Sequence, residues 1–141
     1  MNGRRMKVVR LPGIHHDGNA VLVSGSLGHL LINAGTSWYQ SLQVERIMGQ
    51  LEGERLDRIL LTSRRFPVSG GAAHVAEGFG GIPVHIHPDG QAALETGDFF
   101  TTWANRYDSD MPRTATEGLS EEDVFPMGGG EVVPLHLPGH A

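Results

Sequence analysis

Short apolar runs separated by Gly and Ser fill the first quarter of the chain, and from there apolar residues fall at helical spacing. Lys7–Leu11, Ala20–Gly25 and His29–Asn33 read as strands. Between the last two, Ser24-Gly25-Ser26-Leu27-Gly28 has the Gly and Ser content of a hairpin turn. His29-Leu30-Leu31-Ile32-Asn33 is apolar on both faces, as in a strand covered on two sides. From Ser37 the period changes. Ser37 and Gln40 have the spacing of a capping box, Val44, Ile47, Met48 and Leu51 follow at helical spacing, and Gly53 supplies a stop. Leu56–Thr62 predicts the next strand, Gly70–Gly78 a short helix, Ile82–His87 a strand, Asp89–Glu95 a helix and Asp98–Tyr107 its helical continuation. Ser109–Gly118 reads as a loop, Gly128-Gly129-Gly130 as a turn and Glu131–Leu137 as a last strand. A hairpin followed by alternating helices and strands is the order of an α/β domain, a mixed sheet with a helical layer.

Length and charge narrow the classes of function. The 141 residues suffice for one domain with a modest core. A net charge of −5 disfavours nucleic acid as a partner, because such proteins present a basic face, and the pairs Arg4-Arg5 and Arg64-Arg65 are too few to make one. The absence of cysteine excludes disulfides, Cys-based zinc sites and thiol nucleophiles, and fits a cytoplasmic protein. The basic start Met1-Asn2-Gly3-Arg4-Arg5 leads only into Met6–Val9, interrupted by Lys7, too short for the apolar region of a signal peptide. No run approaches a membrane span, so no membrane partner is expected.

The most informative stretch is Leu60-Leu61-Thr62-Ser63-Arg64-Arg65-Phe66-Pro67-Val68-Ser69-Gly70-Gly71, a strand end, a loop and a Gly-Gly helix start. Its frame resembles the metallo-β-lactamase superfamily, whose loop reads Thr-His-x-His-x-Asp-His-x-Gly-Gly. Thr62, Gly70 and Gly71 match, while Ser63, Arg65, Pro67 and Val68 stand at the four metal-binding positions. Other segments carry the same resemblance. Leu31-Ile32-Asn33-Ala34-Gly35-Thr36 is similar to the family's Leu-Ile-Asp-x-Gly turn, with Asn33 in place of Asp. Ile82-Pro83-Val84-His85-Ile86-His87-Pro88 is similar to the strand after the metal loop, and Leu135-His136-Leu137-Pro138-Gly139-His140 to the later Pro-Gly-His segment. The resemblance implies an αββα sandwich of which residues 1–141 supply the N-terminal half, incomplete at the C-terminus. It also implies that His140 takes the place of a zinc ligand.

A catalytic zinc needs about three protein ligands and an open position for water, whose pKa it lowers to roughly 7. Of the first-half ligands the family uses, this chain keeps only His140. Ser63 is a poor ligand, Pro67 and Val68 have no donor atoms in their side chains, and the fixed charge of Arg65 repels a cation. The expected reading is therefore a degenerate member of hydrolase ancestry, without the usual zinc and inactive as this chain alone. Two alternatives stay open. A displaced ligand set of His85, His87 and His140 would hold zinc for hydrolysis of an ester, thioester or lactone, since His85 and His87 alternate onto one strand face. Alternatively, the chain is a non-catalytic binding or assembly module. His15-His16-Asp17 lies in a Gly-flanked loop that could also ligate, with a solvated loop as the plainer expectation, whereas His29 and His74 read as structural. Ser63, Arg64 and Arg65, with His140, would suit an anionic small molecule beside the free amides of a helix start near Gly70. Half a sandwich leaves the inner face of its sheet uncovered, so a C-terminal half of the same fold, or self-association, is the expected protein partner.

Overall fold

The computed structural model describes residues 6–135. Its main sheet has six strands in the order of the chain: β1 (Lys7–Leu11), β2 (Ala20–Gly25), β3 (Gly28–Ile32), β4 (Arg58–Leu60), β5 (Val84–Ile86) and β6 (Glu117–Gly118). The first three form an antiparallel meander, and β3 to β6 run parallel. The expected hairpin is tighter than its turn residues suggested. Both strands continue to the pair Gly25↔Gly28, leaving Ser26 and Leu27 as a two-residue turn.

The parallel strands require crossovers, and helices supply them. A 3-10 turn at Ser37–Tyr39 leads into α1 (Gln40–Leu51), and α2 (Phe66–Ser69), α3 (Ala72–Gly78) and α4 (Pro88–Thr96) follow. The start of α1 differs from the capping-box expectation. Thr36, one residue earlier, accepts from the Trp38 amide at 3.2 Å. The stop also comes one residue early, with Glu52 left-handed at φ 50° ahead of Gly53 at φ 91°. The buried face of α1 is Gln43, Ile47 and Leu51, with Val44 half-covered. Met48, expected on that face, is exposed, because the helix meets the sheet one position further round.

The helix expected over 70–78 is α3, two residues shorter at its start, and an unexpected short helix, α2, precedes it from Phe66, with Pro67 in its first turn, where a missing amide hydrogen costs nothing. Two further expectations are corrected. Asp98–Tyr107 is no continuous helix. Trp103 turns left-handed at φ 65°, and only Ala104–Tyr107 winds, as a 3-10 turn. The 109–118 loop ends in strand β6, and a separate hairpin, β7 (Phe125–Pro126) with β8 (Glu131–Val132), follows.

Alternation along the strands divides the core in two. Leu22, Leu31, Ile59, Val84 and Ile86 face the helices and pack with Ile47, Phe66, Val75 and Leu94. Val23, Leu30 and Leu60 point the other way and are covered by Met127, with Phe125 and Val132 of the small hairpin packed alongside. The inner face is therefore partly roofed rather than bare. Its margin stays open at β1, where Val8 is 59% exposed opposite buried Val23.

Candidate functional site

Loops that leave the carboxyl ends of parallel strands converge at one edge of the sheet, where ligands of open α/β sheets bind. Here those loops are 33–36 after β3, 62–65 after β4 and 87 onward after β5. Their backbones are tied to one another. Asn33, left-handed at φ 68°, accepts at Oδ1 from the Thr62 amide at 2.9 Å and the Thr62 hydroxyl at 3.1 Å. The Ala34 amide donates to the Val68 carbonyl at 2.9 Å, and the Gly18 amide to that of Pro67 at 2.8 Å. Asp17 accepts from the Thr36 amide at 3.0 Å and from the Thr36 hydroxyl.

The Gly-Gly pair is explained by close approach. A Cβ at Gly71 would sit 2.7 Å from the Ala34 carbonyl oxygen and 2.9 Å from that of Thr36, and one at Gly70 would meet the Phe66 ring at 2.8 Å. The Gly71 amide donates to Gly35 O at 2.8 Å and the Gly70 amide to Phe66 O at 2.9 Å. The helix start expected to offer free amides to an anion thus spends these two inside the protein.

The loop side chains take distinct paths. Ser63 Oγ accepts from the Arg65 amide at 3.1 Å. Arg64 Nε donates to the Thr101 carbonyl at 3.2 Å, so its guanidinium fastens the 98–103 loop. Arg65 extends over the Trp103 indole, its guanidinium carbon 3.8 Å from the ring centroid, and Arg106 lies 4.0 Å from the same centroid. The structure therefore separates the expected trio: Arg65 joins Trp103 and Arg106, while Arg64 becomes a fastener. Neither Trp103 nor Arg106 stood out in the sequence, because the 98–107 segment has no motif and the expected helix would have aimed them elsewhere.

Beside this stack lies an aromatic group. Phe66 is fully buried, with the Trp38 ring edge-on at 5.5 Å and Tyr107 at 5.9 Å. His16 packs on Tyr107 at 5.5 Å and Trp38 at 6.0 Å. His15 Nδ1 lies 2.9 Å from the Tyr39 hydroxyl. The 15–17 loop thus turns to the aromatic ridge and to Thr36.

The two strand histidines have different neighbours: Arg58 and Phe125 for His85, the Asp89 amide for His87. His85 is buried on the inner face, its Nε2 3.1 Å from Arg58 Nη1 and its ring 5.5 Å from Phe125. Burial and the Arg58 charge push its pKa below the ordinary histidine value. His87 caps α4, accepting at Nδ1 from the Asp89 amide at 3.1 Å. His140 lies outside the described residues. His29 is structural, as expected, between Ser24 Oγ at 2.7 Å and Glu54 Oε1 at 2.6 Å. Among the described residues no group of three or more His, Asp or Glu could hold a metal ion, and no helix is long and apolar enough to cross a membrane.

A zinc cage does not fit the groups at this loop. Arg65 brings a permanent cation to the loop, Pro67 and Val68 have no side-chain donor, and the Ser63 hydroxyl accepts from a backbone amide.

Solved structures define the fold. The chain superposes on SMB-1, a metallo-β-lactamase solved with mercaptoacetic acid, at TM-score 0.73 and 22% identity, over 98% of this chain and 52% of that one. BJP-1, a subclass B3 metallo-β-lactamase of Bradyrhizobium japonicum, gives 0.73 and 18% over 87% and 47%. A metallo-β-lactamase of Cronobacter sakazakii, described by its HARLDQ motif, gives 0.71 and 19% over 97% and 55%. No protein-family model and no curated protein sequence matches the chain. The fold is that of the metallo-β-lactamase superfamily. This chain spans about half the length of those structures, as a half-sandwich does.

Proposed function

We propose that this chain is the N-terminal half of a metallo-β-lactamase-fold protein of hydrolase ancestry that does not assemble zinc at the usual loop and is inactive alone. One observation carries the reading: the Arg65 guanidinium, at a metal-ligand position, lies 3.8 Å over the Trp103 ring. Moving it aside would give up that stacking and still leave Pro67 and Val68 without donors.

The inner sheet face is the docking surface for the C-terminal half of the same fold. The doubled length of the neighbours supports this, as do exposed Val8 and half-buried Val21 and Ile32 on the face opposite the helices. In this reading β7 and β8 roof only its middle.

Metal analysis after purification from zinc-supplemented medium tests the main claim. The expected result is sub-stoichiometric zinc that a mild chelator strips. One tightly held equivalent, lost on His140→Ala or His85→Ala, would replace this reading with that of the displaced-ligand hydrolase.

A further inference from the structure

Arg65 and Arg106 stack on one indole, and no carboxylate of the described residues makes an ion pair with either guanidinium. Both arginines are exposed and Trp103 is half-buried. The chain has 16 acidic residues against 11 basic ones, so acids for pairing are not scarce. Their absence here leaves two like charges no further apart than the two ring distances together. Each contact with the ring is favourable by itself, but together they hold two long cationic side chains close to one another, which loses entropy and adds repulsion.

The platform is itself held in an unfavourable shape. Trp103 is left-handed at φ 65°, a region that bulky residues rarely occupy. Several bonds hold it there. Asp98 Oδ1 accepts from the Phe100 and Thr101 amides at 2.9 and 3.0 Å. The Phe66 amide donates to Thr102 O at 2.6 Å, and the Arg106 amide to Trp103 O at 2.9 Å. The same bonds depress the Asp98 pKa, mostly through the Thr101 and Phe100 amides. Backbone strain that the surroundings over-determine is found at sites that bind. This one sits at the carboxyl-end edge of the parallel strands, next to the Trp38–Tyr107 ridge by way of Phe66.

We propose that Arg65 and Arg106, presented by Trp103, form an oxyanion clamp for a small ligand bearing phosphate or carboxylate groups. Each guanidinium carbon is held over the ring, and each guanidinium carries five N–H donors in a rigid fork, the donor set that oxyanions accept. A bound oxyanion also relieves the repulsion between the two cations. Arg64 takes no part, since its Nε is committed to Thr101. The clamp deepens the metal-free reading of this loop and rests on it.

Calorimetric titration of the whole chain with inorganic phosphate, and separately with succinate, at ionic strength held constant with sodium chloride tests the clamp. Saturable binding is expected for at least one of the two, and which one binds tells a phosphate site from a dicarboxylate site. Arg65→Ala and Arg106→Ala should each weaken it by about tenfold. Arg65→Lys should weaken it less, and Arg10→Ala not at all. Circular dichroism melts confirm that the variants fold, and Trp103→Ala, which removes the platform and should weaken binding by a similar factor, covers the case in which an arginine variant does not. No saturable heat from either anion, or equal affinity in all variants, overturns the clamp. Zinc measured in the same samples separates the two claims: a zinc-free protein that binds neither anion defeats the clamp alone, whereas stoichiometric zinc defeats the metal-free reading.

Discussion

Two arginine–aromatic contacts in this molecule serve opposite ends. Arg58 lies 5.0 Å over Phe125, beside buried His85 on the inner face of the sheet, and the small hairpin brings that ring in as a cover. Arg65 lies 3.8 Å over Trp103 at the loop edge, exposed, with Arg106 on the same ring. In the first the ring closes over the cation and seals apolar residues. In the second the ring holds two cations out to solvent. The same chemical pair stabilises in one place and presents charge in the other, and burial decides which.

Substitutions at the two places should therefore separate. Phe66→Ala beneath the loop edge has the largest expected effect, about 3–5 kcal/mol in chemical denaturation, because the ring is fully buried in the main core. A loss under about 1 kcal/mol would mean that the aromatic ridge stands without its base. Met127→Ala on the inner face comes next, at about 2 kcal/mol, since it uncovers Val23, Leu30 and Leu60. Light scattering should then show increased self-association, and an unchanged monomer would mean that the hairpin is not the cover.

Trp103→Ala should cost less than about 1 kcal/mol, the mark of a presenting ring rather than a sealing one. A loss equal to that of Phe66→Ala would erase the distinction. The smallest effect is in the pH profile of His85→Gln. Its burial and Arg58 lower the His85 pKa in the folded chain, so below the ordinary value of about 6.5 the unfolded chain takes up a proton that the fold resists. Parent stability should fall as pH drops through that value, and the variant should lose that part of the slope. Parallel profiles would place His85 outside the sealed cluster.

The fold was more legible than the site. The expected β1 and β2 coincide with the observed ones, and α1, α3, β5 and α4 agree to within a few residues, because apolar runs bounded by turn residues and helical spacing are local consequences of burial. The loop frame Thr62, Gly70, Gly71 was readable because close backbone approach demands glycine. Segment 98–107 departs from the helix that its composition permits: Asp98 accepts from the Phe100 and Thr101 amides within the segment, Thr102 O accepts from the Phe66 amide, and Trp103 turns left-handed. Phe125 and Met127 gave no signal, since a two-residue strand has no period.

Local order, the succession of strand and helix segments, and the presence of Ser63, Arg65, Pro67 and Val68 in the loop before Gly70-Gly71 were all written in the order of residues. The partnership of Arg65 with Trp103 and Arg106, the commitment of Arg64 to Thr101, and the roof over the inner face arose only on packing. Each joins residues tens of positions apart. Periodicity reports the burial of a face within one element, whereas which distant side chains meet depends on how the elements are laid against each other.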